Sequence, residues 1–166
     1  MVKPIEDKGP SISDLTQDDL KEAGSFAEAE QRNLRSTLRI YFEQKPDRQD
    51  EWIDVVGEHM LDVVQRGRTD LFNIFLEFDV PINFQSDETG FSVLHMAAAC
   101  GARNVLRILI KREESDYLLR DKQGRLPSEL AYLGGPVPDV AVSRLLGIKE
   151  VKQADLLGIK LTRRPK

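Results

Sequence analysis

Apolar side chains recur at helical spacing along the first third of the chain. Leu34, Leu38, Tyr41 and Phe42 form one stripe, which predicts a helix from an N-cap at Ser25 to about Gln44. A sparser helical stretch precedes it from Ser13, with Leu15 and Leu20 as its apolar points. Residues 1–13, with Pro4, Gly9, Pro10 and two serines, read as a flexible arm. Pro46 and Asp47 end the long helix and Asp50 caps the next. There Trp52, Val56, Met60 and Val63 line one face, while Asp54, Glu58 and Asp62 mark the wet one. Each stripe needs a neighbour, so the two helices should pack on each other or on the helices that come after them in the chain.

From Gly67 onward the pattern repeats. Gly67 returns as Gly101, Ile74 as Ile108, Phe75 as Leu109, Asp87 as Asp121 and Gly90 as Gly124, always 34 residues later. A fixed period of this size marks a stacked repeat, in which one helix pair cannot bury its own apolar face. In Asp87-Glu88-Thr89-Gly90 the aspartate can bond nearby amides while Gly90 takes a positive φ, closing a tight hairpin tip. Ser92 then caps a short helix holding Val93, Leu94, His95, Ala97 and Ala98, and Gly101 ends it in the left-handed region. A second helix follows, with Val105, Leu106, Ile108, Leu109 and Ile110 as its core. Near the end, Leu145-Leu146-Gly147-Ile148-Lys149 is echoed by Leu156-Leu157-Gly158-Ile159-Lys160. Each copy reads as a helix stop.

The run Asp87-Glu88-Thr89-Gly90-Phe91-Ser92-Val93-Leu94-His95-Met96-Ala97-Ala98-Ala99-Cys100-Gly101 resembles the ankyrin repeat, with serine for the usual threonine and Val93 for the usual proline. The unit before it keeps only its second half, from Gly67 to Asn83. The unit after it keeps Asp121, Gly124, Leu126-Pro127 and Ala131, then departs at Gly134-Gly135-Pro136. The resemblance implies an all-α solenoid of stacked helix pairs with short hairpin loops, over residues 58–147. A helical extension or cap over 14–57 would precede it, and a C-terminal helix and basic tail over 148–166 would follow. The helix near Val140 to Leu146 is expected to cover the far end of the stack.

The resemblance also implies what the surface does. In ankyrin proteins the hairpin tips and first-helix surface form a groove that binds another protein. Carried onto this sequence, the variable positions are Ser86, Glu88, Thr89, Phe91, Ala99 and Cys100, then Arg120, Lys122, Gln123 and Arg125. Partner contact is assigned to Ser86, Glu88, Thr89, Phe91, Lys122, Gln123 and Arg125. His95 holds the family's structural histidine position, and Gly90, Gly101 and Gly124 hold turn positions. Phe91 is either covered by the partner or packed on the adjacent hairpin. The expectation is a non-catalytic adaptor or inhibitor, with an immunity or antitoxin protein or a host-targeted effector as the alternatives.

Composition narrows the chemistry. The sequence has no phosphate-binding loop, dinucleotide fingerprint or zinc-protease motif. Two histidines and one cysteine supply neither a histidine-rich metal site nor a zinc knuckle. No catalytic residue, metal or cofactor is therefore expected, and a Cys100–His95 nucleophile pair is set aside for the structural reading of both residues. His59 flanks an apolar face, where a packed or partly exposed ring is the default. Trp52 reads as a core or cap anchor, with an exposed binding position as the other reading. The net charge of −4 is split, with 14 Lys/Arg against 23 Asp/Glu in residues 1–118 and 10 against 5 in 119–166. The basic tail (Lys160, Arg163, Arg164, Lys166) is either a phosphate or acidic-protein contact or a solvated terminus. Nucleic-acid binding through it is a remote reading, because aromatic platforms and a recognition helix are missing. A single cysteine and the lack of a long apolar run favour an intracellular, cytoplasmic protein with no membrane contact. The oligomeric state is left open, with a monomer as the expectation.

Overall fold

Seven helices succeed one another among the described residues, which are 17–44, 49–135 and 137–162 of the computed structural model. They are α1 (Gln17–Gln44), α2 (Gln49–Gln65), α3 (Thr69–Glu77), α4 (Val93–Cys100), α5 (Arg103–Ile110), α6 (Pro127–Leu133) and α7 (Val140–Leu157). They form three successive pairs, α2 with α3, α4 with α5 and α6 with α7. The first helices of the pairs lie side by side in the order α2, α4, α6, and α3 lies beside α5. The chain is all-helical, with one isolated β-bridge, Gln85 to Ser92, among the described residues.

The 34-residue period is written into the backbone. Arg68 N–H donates to Val63 C=O and Ala102 N–H to Ala97 C=O; Thr69 N–H donates to Gly67 C=O and Arg103 N–H to Gly101 C=O. Gly67 and Gly101 both take positive φ, 69° and 66°, so the same turn succeeds α2 and α4. The N-terminal ends of α4 and α6 are closed by an equivalent device. His95 Nδ1 accepts the Ser92 N–H at 3.2 Å, and 34 residues later Glu129 Oε2 accepts the Leu126 N–H at 2.8 Å. In both, the third helical residue reaches back to the cap, as in a capping box.

The core runs unbroken through the pairs. Phe72, Phe75, Val93, Leu106, Leu109, Leu130 and Leu146 belong to one buried cluster. Leu34 and Leu38 of α1 join it, and α1 packs on α3. Trp52 is buried and packs at a tilt against Phe42 with ring centroids 4.4 Å apart, which makes it a core anchor. Ion pairs frame the α1–α3 contact. Arg35 grips Glu77 through two bonds of 2.9 and 3.0 Å, and Arg68 bridges Glu30 and Asp70. The bonds from Arg68, and after them Gln31, hold the Asp70 carboxyl at about 2 against burial that raises it. Exposed pairs of this kind are screened by solvent and contribute little to stability, so they orient α1 more than they hold it.

Three expected boundaries move. Ser25 is not a cap, because α1 is already helical from Gln17, and Asp50 lies within the first turn of α2, not before it. Gly147 does not stop a helix: α7 runs through it, and only Gly158 ends it, at φ 67° with Ile159 N–H bonded to Ala154 C=O. A glycine inside a helix costs about 1 kcal/mol. Burial of Leu146 beside it offsets that. The divisions expected at 57/58 and 147/148 therefore fall inside α2 and α7. The arm over 1–13 and the tail residues Arg163, Arg164 and Lys166 lie outside the described residues, as does Leu15.

Glu150 ties α7 to α6. Its two oxygens accept from Ser128 N–H at 2.9 Å and Ser128 Oγ at 2.7 Å, closing the start of α6 from outside. Burial pushes its pKa above the usual 4.5, and the Ser128 bonds only partly oppose this. The folded state therefore holds this proton more tightly than the unfolded one. The stabilising contribution is full below about pH 4.5 and is lost as pH rises through the folded value. Glu150→Gln keeps both contacts without the charge. It is expected to melt higher than the wild type at pH 7, with the difference closing toward pH 4.5; thermal melts at the two pH values check this.

Candidate functional site

Two hairpin tips, at 86–91 and 120–125, stand side by side along one edge of the stack. The first is shaped by its own backbone. Ser86 N–H donates to Phe91 C=O at 2.9 Å, and Gly90 N–H to Ser86 C=O at 2.7 Å, with Gly90 at φ 72°. The second is built around Asp121. Its Oδ1 accepts from the backbone N–H groups of Gln123 and Arg125, and its Oδ2 from Arg125 Nε at 2.6 Å. Burial alone raises the Asp121 carboxyl, but the bonds from Arg125 prevail and hold it below its ordinary value.

Three contacts join the tips, and a fourth, within the first hairpin, steadies the amide that makes one of them. Lys122 N–H donates to Thr89 C=O at 3.1 Å. Gln85 Nε2 donates to both Gly90 C=O at 2.8 Å and Arg120 C=O at 3.0 Å. His95 closes the set. Because Nδ1 accepts the Ser92 N–H, the ring proton sits on Nε2, which donates to Arg125 C=O at 3.0 Å. The ring is fully buried, and burial holds its pKa below 6.5, in the neutral form this arrangement needs. Deeper in the same seam, Asn83 donates to Glu114 C=O and accepts from Asp116 N–H.

The predicted contact residues separate into two groups. Glu88, Thr89, Lys122 and Gln123 are exposed on the tips. Ser86, Phe91 and Arg125 are committed inward. Ser86 is 4% exposed and its hydroxyl accepts from Glu88 N–H, so it shapes the turn from within. Phe91 lies half-buried, stacked on His95 with centroids 5.9 Å apart, under the Arg125 guanidinium at 5.9 Å. Its ring therefore rests on His95 of its own unit and beneath Arg125 of the adjacent hairpin. The charge of Arg125 is taken up by Asp121. Arg120 is likewise engaged, with Gly124 C=O at 2.7 Å and Thr162 C=O at 3.2 Å. Gly90, Gly101 and Gly124 all take positive φ, as their turn positions require. Gln85 and Asn83 were not visible as site residues: neither repeats at the 34-residue offset, where Leu119 and Tyr117 stand instead.

No family model matches the chain. It is 34% identical over 84 residues to the 2-5A-dependent ribonuclease of Homo sapiens, a protein that contains ankyrin repeats. The matched stretch is 50% of this chain and 11% of that protein, so the chain spans a small part of the length of its relative. The likeness points to a repeat-type protein-interaction module.

Both nitrogens of His95 are engaged within the fold, and burial raises the Cys100 thiol, which lies 3.7 Å from Met96 Sδ. His59 is exposed and meets the Phe75 ring edge-on at 5.7 Å. Among the described residues, no three His, Cys, Asp or Glu side chains gather to hold a metal, and no helix is long and apolar enough to cross a membrane.

Proposed function

We propose that this chain is an ankyrin-type solenoid acting as a non-catalytic adaptor or inhibitor, which holds a partner protein against the hairpin edge. The observation that carries the reading is the cross-linking of the two tips through Thr89, Lys122, Gln85 and His95. A ledge fixed before binding loses little conformational freedom when a partner docks. Its free side chains change sign along its length, from Asp87 and Glu88 to Lys122. The partner face is therefore charged, basic opposite the first tip and acidic opposite the second. The non-catalytic assignment is supported by His95, which is buried with both ring nitrogens engaged within the fold.

The test begins with affinity purification and mass spectrometry on the full chain, then titration of the captured partner. Glu88→Lys combined with Lys122→Glu is expected to weaken that partner at least about tenfold, or 1.4 kcal/mol, with an unchanged melting temperature. Arg125→Glu is unsuited to this purpose, because it places a second carboxylate beside the buried Asp121. Wild-type affinity in the double variant would move the binding surface elsewhere.

A further inference from the structure

The last helix carries a second surface. α7 buries Val142, Leu146, Glu150 and Ala154, four residues apart. The opposite face carries Arg144, Ile148, Val151 and Asp155, all exposed, with Ile148 at 64% and Val151 at 52%. Together with Gly147, Lys152 and Leu156 they line one open cleft. A Cβ placed on Gly147 would meet nothing within 4 Å, so a neighbouring backbone can approach closely there. The spacing of four, three and four residues is that of a helix–helix seam.

The order of chemistry along this seam specifies its occupant. It reads cation, apolar, apolar, anion, and neither Arg144 nor Asp155 forms an ion pair among the described residues. Laid antiparallel on a second copy, with a two-fold axis between Ile148 and Val151, the stripe matches itself. Ile148 of each copy meets Val151 of the other, and Arg144 meets Asp155 at both ends. A parallel arrangement would set arginine against arginine and aspartate against aspartate. We propose that α7 docks antiparallel on α7 of a second copy, making a two-fold dimer in place of the monomer expected from sequence. The surface is separate from the hairpin edge, so the proposal stands whether or not that edge binds a partner.

Sedimentation equilibrium of the full chain over a concentration series is the test. The wild type is expected to self-associate, and Ile148→Asp to weaken association at least about tenfold. Arg144→Asp and Asp155→Arg are each expected to weaken it, because each sets like charges opposite one another. Mixing these two variants should restore a dimer, now a heterodimer with one native and one reversed ion pair. All three positions are exposed, and an unchanged helical circular dichroism spectrum would show that the fold is intact. A wild type that stays monomeric throughout would overturn the proposal and leave the face to a different protein. Single variants that associate as well as the wild type, or a mixture that fails to associate, would overturn it equally.

Discussion

Leu109→Ala is expected to remove roughly 2–5 kcal/mol of stability, the cost of deleting a buried leucine where the surroundings cannot collapse. Leu109 is 1% exposed and sits on α5, in the middle pair of the stack. Its cluster takes in Phe72 and Phe75 of α3, Val105 and Leu106 of its own helix, and Tyr117 beyond it. A void at this point would lie within a cluster drawn from several elements. The Leu109 carbonyl, which accepts the Ser115 hydroxyl at 2.7 Å, is backbone and survives the change, so the loss reads packing alone. A domain of this size has about 5–15 kcal/mol in hand, and a loss at the upper end would leave much of the protein unfolded. Denaturant titration is the measurement, with Arg107→Ala on the exposed side of the same helix as the control. A midpoint that moves no more for Leu109→Ala than for Arg107→Ala would place Leu109 outside the core.

The contrast between Leu109 and Arg125 shows where sequence was sufficient. Apolar periodicity placed Leu109 in the core correctly, because burial of an aliphatic side chain on a helix is decided by its own face. The same holds for the Ser92 cap, the left-handed Gly101 and the α1 stripe at Leu34 and Leu38. Arg125 was different. At a variable position on a loop it resembled a free contact, yet Asp121, four residues earlier, claims its guanidinium. Phe91 was ambiguous for the same reason, since only the placement of the next hairpin decides what covers it. Gly147 misled through local likeness to Gly158, although whether a glycine ends a helix depends on what its neighbours bury. The exposed tip residues Glu88, Thr89, Lys122 and Gln123 were legible, whereas the amides that brace them, Gln85 and Asn83, were not. Those amides act between units, and a repeat pattern records only what each unit shares.

Two glycine substitutions separate backbone conformation from the contact between hairpins. Gly90 and Gly101 both sit at positive φ, 72° and 66°. Replacing either with alanine costs about 1–2 kcal/mol for the left-handed conformation alone. Around Gly101 a new Cβ would meet nothing within 4 Å, so Gly101→Ala should show that cost and no more. Around Gly90 the Cβ would lie 2.6 Å from Lys122 N and 3.1 Å from Asp121 Cα, both backbone atoms that cannot turn aside. The second tip must move away, which strains the bond from Lys122 N–H to Thr89 C=O and carries Arg125 C=O away from His95 Nε2. Overpacking of this kind adds about 1–3 kcal/mol. Gly90→Ala is therefore expected to destabilise by about 2–5 kcal/mol in total, clearly more than Gly101→Ala, in parallel denaturant titrations. It should also weaken any partner held by both tips, since Glu88 and Lys122 no longer keep their spacing, while Gly101→Ala leaves that affinity unchanged. Equal losses in the two variants would mean that the hairpins do not bear on one another, and the ledge proposed as the binding surface would lose its rigidity.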